Sequence, residues 1–133
     1  MQHDIIMDRK HVSSGSAYEK SIGFSRAVRF RERIIVSGTA PIADNGKTAF
    51  PGDVFHQTKH CIDLMQRSIE KAGGRLTDVV RTRIYLKRAD DWSDAARAHQ
   101  MAFNDIKPAC TFVVVKGFID PQWLVETEAE CML

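Results

Sequence analysis

Between Asp53 and Ala72 the residues Val54, Thr58, Cys61, Ile62, Met65, Ile69 and Ala72 recur at helical spacing, with a polar stripe opposite. Asp53 is placed to cap the first turn, and Gly73-Gly74 to stop the last. The period then falls to two: Val80, Thr82, Ile84 and Leu86 alternate with Arg81, Arg83, Tyr85 and Lys87, which predicts a strand over Val79 to Leu86. Asp90 or Asp91 caps a second helix, Trp92 to about Asn104, whose stripe is Trp92, Ala95, Ala96, His99 and Phe103, and Pro108 closes the segment.

Ala109 to Val115 is rich in β-branched residues, and Leu124 to Cys131 alternates apolar and acidic residues; a connection of Gly, Asp and Pro separates them, so the pattern predicts a hairpin. In the first strand Thr111, Val113 and Val115 share one face and Cys110, Phe112 and Val114 the other, so neither face is polar. In the return strand Val125, Thr127 and Ala129 oppose Glu126, Glu128 and Glu130. A carboxylate near Cys110, where apolar surface meets polar, is therefore the candidate site. Upstream, Arg33 to Gly38 reads as a strand, joined through Arg31-Glu32 to a strand over Ile22 to Phe30; His11 to Lys20 is turn-like. Thr39 to Gly52, punctuated by Pro41, Asp44-Asn45-Gly46 and Pro51-Gly52, is a loop. The order β-β-β-α-β-α-β-β predicts an α+β domain over 1–133, a mainly antiparallel six-stranded sheet with two helices on one face. The doubly apolar strand needs a cover on its second face, and a further copy of the same sheet supplies it.

Composition narrows the partners. A chain of 133 residues builds one core, and a formal charge of +2 with interleaved signs lacks the field that holds nucleic acid, so no nucleic-acid partner is expected. Cys61, Cys110 and Cys131 have neither disulfide nor metal spacing and fit reduced thiols. Met1 to Lys10 is polar and charged, and no stretch approaches the roughly 20 apolar residues of a membrane span, so the expectation is a soluble, cytoplasmic protein with no membrane partner.

His56 and His60 lie four apart, as two metal ligands can, but on the polar face of the helix with no general base between them, so a solvated face is the better reading. His99 suits the core or an interface. Arg81, Arg83 and Lys87 beside Tyr85 are expected to pair with glutamates of another strand or subunit. Cys110 reads as a packing or pocket-lining thiol, since no His near it in sequence would make it a thiolate. Glu126 either places a water and takes its proton or belongs, with Glu128 and Glu130, to a charged strand face.

Several of these segments together resemble the Rid (YjgF-like) family of enamine/imine deaminases, also called endoribonuclease L-PSP. They are Ile22-Gly23-Phe24, Val36-Ser37-Gly38-Thr39-Ala40-Pro41, Glu70-Lys71-Ala72-Gly73-Gly74, Val80 to Lys87, Lys107-Pro108-Ala109 and Val125-Glu126-Thr127-Glu128-Ala129, spread over nearly the whole chain. The resemblance implies a chorismate-mutase-like fold and a homotrimer with clefts between subunits, each taking a small-molecule ligand without cofactor or metal. It also implies a catalytic Glu126 that places the attacking water, and a pocket lined by Phe24, Ser37, Asp90 and Cys110. Family deaminases carry an Arg directly after Pro-Ala to grip a substrate carboxylate, and Cys110 stands there. A thiol does not supply that permanent, bidentate charge, so a substrate other than the classical 2-imino acids is expected, neutral or cationic. The alternatives are a non-catalytic small-molecule-binding homotrimer and, third, an endoribonuclease or translation inhibitor.

Overall fold

The computed structural model describes residues 8–133. Its strands are β1 (Arg9–Val12), β2 (Ala27–Phe30), β3 (Arg33–Thr39), β4 (Val79–Leu86), β5 (Ala109–Val114) and β6 (Val125–Met132), and its α-helices are α1 (Ala17–Ile22), α2 (Val54–Lys71) and α3 (Trp92–Phe103). The segment read as turn-like, His11 to Lys20, holds the end of β1 and most of α1, and the strand expected from Ile22 begins only at Ala27. Ser16 caps α1 through Tyr18 N, and Gly23 ends it at φ +92°; six residues are too few to display a helical period.

All six strands form one sheet in the order β1-β2-β3-β6-β4-β5. The hairpin expected from the last two strands does not form: β5 pairs with β4 in parallel, and β6 inserts antiparallel between β3 and β4. Chemistry explains the choice. The acidic face of β6 finds arginines on β4, with Arg83 Nη1 donating to Glu128 at 3.1 Å and Arg81 Nε 3.4 Å from Glu130, whereas β5 offers no cation at all. The pairing expected for Arg81 and Arg83 is thus with a strand of the same chain, while Lys87 donates to Pro121 O.

The long helix has the stops its sequence announces. Asp53 accepts from His56 N at 3.0 Å, and Gly73, at φ +90°, turns the chain so that Gly74 N donates to Ile69 O. Its stripe, with Ile62, Met65 and Ile69 buried, packs with Phe103 of α3 on Ile34, Val36, Ala129 and Cys131 of the sheet. A second cluster joins Val54 and Cys61 to Ile84, Leu86, Ala95 and Val125. Gln57, grouped by its polarity with the polar face of α2, is fully buried instead, since three residues after Val54 and four before Cys61 it lies at the edge of the apolar stripe. Its amide nitrogen donates to Phe50 O and Gln122 O, and its Oε1 accepts from Leu124 N at 2.9 Å, so one side chain ties the loop before α2 and the loop before β6 to the helix.

Among the described residues, the opposite face of the sheet has no helix. It is polar at its centre, with Arg81, Arg83, Tyr85 and the β6 glutamates, and its apolar surface is confined to residues such as Ile35 and Val113.

Replacing Gln57 with Leu leaves the Leu124 amide and two carbonyls without their partner; a loss of about 1–3 kcal/mol is expected in urea unfolding, with the helix retained. An unchanged midpoint would show that water or a rearranged loop takes over those bonds.

Candidate functional site

The site is built on an irregularity between β3 and β6. Val36 pairs with Ala129 and Thr39 with Thr127, so Ser37 and Gly38 together oppose the single residue Glu128. Such a bulge frees backbone groups and re-aims side chains. Ser37 N donates to Arg26 O, and its hydroxyl lies 2.9 Å from Ser25 O and 3.0 Å from Arg26 O, which turns it toward the start of β2. Gly38 carries no Cβ where one would meet Glu126 Oε1 at 3.2 Å, so the carboxylate occupies space that any larger residue would contest.

Register singles out Glu126 among the three β6 acids. Glu130 faces Arg81 and Glu128 faces Arg83, but Glu126 faces Tyr85, whose phenol donates to Glu128 at 2.6 Å instead. Glu126 is thus the carboxylate without a cross-strand cation. It is half-buried; burial pushes its pKa up, the Arg26 charge draws it down and Glu128 pushes it up again, leaving it above the usual carboxylate range.

Behind the bulge lies a pair that nothing in the sequence pattern marks. Glu19 on α1 and Arg26 at the entry to β2 are both more than nine-tenths buried, with Arg26 Nε 3.4 Å from Glu19 Oε2. Arg26 Nη1 donates to Gly38 O and Thr39 Oγ1, and the guanidinium carbon lies 5.2 Å from the centre of the Phe24 ring. Glu19 accepts from the Ser13 hydroxyl, the Ser14 hydroxyl and Ser14 N. Burial raises the Glu19 pKa, but the Ser14 and Ser13 hydroxyls, the Ser14 amide and Arg26 outweigh it, so it stays below the usual value and ionised at neutral pH. Arg26 also lines a cavity of about 430 Å³ with Ser16, Tyr18, Thr39, Asn45 and Leu64.

The other expected site residues distribute as follows. Phe24 and Ser37 join Arg26 and Glu126 around the bulge. Asp90 is exposed on the 3-10 turn Ala89–Asp91 beyond the end of β4. Cys110 pairs with Thr82, a residue buried on the helix side, where it bonds His99 of α3 at 2.8 Å, whereas Glu126 pairs with Tyr85 on the opposite side. Within one chain, therefore, Cys110 and Glu126 lie on opposite faces of the sheet with β4 between their strands, and the shared boundary expected from a hairpin is absent. His56 bonds Asp53 at 2.7 Å and His60 bonds Ile42 O at 2.8 Å, and no cluster of metal-ligating side chains occurs among the described residues.

The three thiols divide by environment. Cys110 is exposed, while burial pushes Cys61 well up and raises Cys131 to about 11. Iodoacetamide at pH 8 is expected to label Cys110 alone in the native protein; mass-mapped labelling of Cys61 or Cys131 without denaturant would contradict the packing of the core.

Comparison with known proteins agrees with this architecture. Residues 15–132 match the model of the family described as endoribonuclease L-PSP. An uncharacterised protein of Streptomyces coelicolor is 38% identical over 122 residues, covering 91% of this chain and 90% of that one. The 3-aminoacrylate deaminase RutC of Acinetobacter baylyi is 31% identical over 96 residues, covering 70% of this chain and 73% of the deaminase. The crystal structure of Rv2704 from Mycobacterium tuberculosis, a member of the YjgF/YER057c/UK114 family, superposes with a TM-score of 0.85 at 37% identity, over 94% of this chain and 99% of that one. The sheet with its helices is accordingly the α+β, chorismate-mutase-like fold of these proteins, and the chain belongs to the endoribonuclease L-PSP family, the Rid or YjgF proteins.

Proposed function

We propose that the protein is a cofactor-independent hydrolase of the enamine/imine deaminase type, acting on a small neutral or cationic molecule in clefts between the subunits of a homotrimer. The observation that carries this reading is Glu126: a half-buried carboxylate with no cross-strand cation and raised proton affinity, seated against Gly38 where no Cβ crowds it. In the reaction Glu126 takes a proton from water as the oxygen adds to the imine carbon. With the imine nitrogen protonated, this addition gives a neutral carbinolamine. Glu126 then passes its proton to the carbinolamine nitrogen, and the hydroxyl gives up its proton to the freed carboxylate as the C–N bond breaks. Ammonia leaves with that electron pair and carries the proton away as ammonium, so that the carbonyl product remains.

The electrostatics support the choice of substrate. The Arg26 guanidinium is engaged by Glu19 and the Gly38 carbonyl, so it is not a free clamp for a carboxylate. Cys110 carries no fixed charge, and the half-buried Glu126 with Glu128 beside it disfavours an anion. The trimer has support of its own: β5 is a sheet edge exposed along its whole length, including Phe112, Val113 and Val114, a surface that a further copy would cover. A neighbouring subunit would also bring Cys110 and Glu126 of different chains into one cleft. The relative's name, 3-aminoacrylate deaminase, supports enamine chemistry of this class. The thiol at the clamp position equally suits a trimer that binds without turnover, whereas ribonuclease action is disfavoured because the arginines of the open face are paired with glutamates.

Light scattering at micromolar concentration should give a trimeric mass, and a monomer would remove the proposed cleft. Glu126→Gln should lower kcat on uncharged imines about 10²–10⁴-fold, the range of a lost general base, and wild-type kcat/KM on 2-iminobutanoate should fall about tenfold to a hundredfold below an arginine-bearing relative. Because only the ionised carboxylate accepts the proton, the rate should fall as pH drops through the raised pKa of Glu126 and hold above it. Full binding of uncharged imines with no turnover would select the non-catalytic reading.

A further inference from the structure

We propose that Arg26 is a positioning residue for Glu126, and that Glu19 sets how much of the Arg26 charge Glu126 feels; this rests on the reading of Glu126 as the base of the site. The two side chains meet at Gly38 from different directions. Arg26 Nη1 donates to the Gly38 carbonyl, and Glu126 Oε1 sits where a Cβ on Gly38 would press against it, 3.2 Å away. The backbone around Arg26 is held as firmly as its side chain: Arg26 N donates to Val12 O on β1, and Arg26 O accepts from Ser37 N on β3. One residue thus fixes both the bulge that leaves room for the carboxylate and a positive charge beside it.

The charged and titratable groups around Glu126 are few. Glu128 flanks it on β6, Tyr85 faces it from β4 with its phenol bound to Glu128, Cys61 of α2 is close enough for its burial-raised thiol to feel the carboxylate, and Arg26 is the cation among them. Burial and Glu128 both favour the protonated acid, a form unable to take a proton from water; Arg26 is what opposes them. Glu19 tempers that opposition. Its carboxylate lies against Arg26 Nε on the side away from Gly38 and shares its lone pairs with three serine donors, so it neutralises the guanidinium only in part.

The coupling has a signature that mere structural support lacks, because the two partners should act with opposite sign. Glutamate carboxyl carbons of the full-length protein, labelled with ¹³C, are followed through a pH titration, with the Glu126 signal assigned by its loss in Glu126→Gln. Arg26→Met is expected to move the Glu126 midpoint upward. Glu19→Gln, which leaves Arg26 charged without its carboxylate, should move it downward, and Arg26→Lys should fall between wild type and Arg26→Met. A midpoint that stays put in both variants, or moves the same way in both, overturns the proposal. If Arg26→Met does not fold, Glu19→Gln and Arg26→Lys decide: an unmoved or raised midpoint in Glu19→Gln is enough to reject it. Failure of the function proposed above is separable, since undiminished turnover in Glu126→Gln would remove the base assignment whatever the titrations show.

Discussion

Strand β6 has to satisfy two demands at once, and the sheet is arranged around the only place that meets both. Val125, Thr127, Ala129 and Cys131 are buried against the helices, while Glu126, Glu128 and Glu130 stand on the other face at successive like-charged positions. The apolar half requires a central strand, flanked on both sides and covered by α2. The acidic half requires a neighbour with cations at the same spacing, which β4 supplies in Arg81 and Arg83. Partly exposed pairs of this kind contribute at most about 1 kcal/mol each, against roughly 1.5–3 kcal/mol for burying one large aliphatic side chain. Burial therefore holds β6 in the sheet, and the ion pairs select which strand it lies beside.

The same register creates the candidate site. Glu128 meets Arg83 and Glu130 meets both Arg81 and Arg33, and the acid left over, Glu126, falls next to the bulge at Ser37-Gly38, where the backbone of β3 leaves room for it. A carboxylate in that position is destabilised as an anion by burial and by Glu128. It is thereby made a better proton acceptor than its exposed equivalent would be.

Much of this could be read from residues alone, and the failures have a common cause. The helix from Asp53, the strand from Val79 and the helix from Trp92 announce themselves by period and cap, and the structure places them within a residue or two. The alternation of β6 was equally plain, as was the solvated place of His56, which is exposed and whose ring bonds the capping Asp53. What pattern does not encode is adjacency. Cys110 and Glu126 look like neighbours if consecutive strands pair, and only the arginines of β4 reveal that they do not. Burial of polar groups is equally hidden. Gln57 is a polar residue at the margin of the apolar stripe yet anchors two loops, and no period in so short a helix as α1 tells that Glu19 turns inward while Lys20 beside it stays exposed.

The buried Glu19–Arg26 pair is also instructive about charge in a site that lacks the expected clamp. Pairs of this kind are a weak source of stability, because desolvating both ions offsets most of their attraction. Their effect on a third group is another matter, since in a region of low dielectric a fixed charge acts over several ångströms with little screening. Arg26 reaches Glu126 by field and by its hold on Gly38 without touching it, and Glu19 with its serine donors keeps the guanidinium from turning outward to an anionic ligand. A guanidinium held behind Glu126 and an uncharged thiol side chain at Cys110 leave the fixed positive charge of this region directed at the protein's own carboxylate. On the proposed function, a substrate gains most there by bringing no carboxylate of its own.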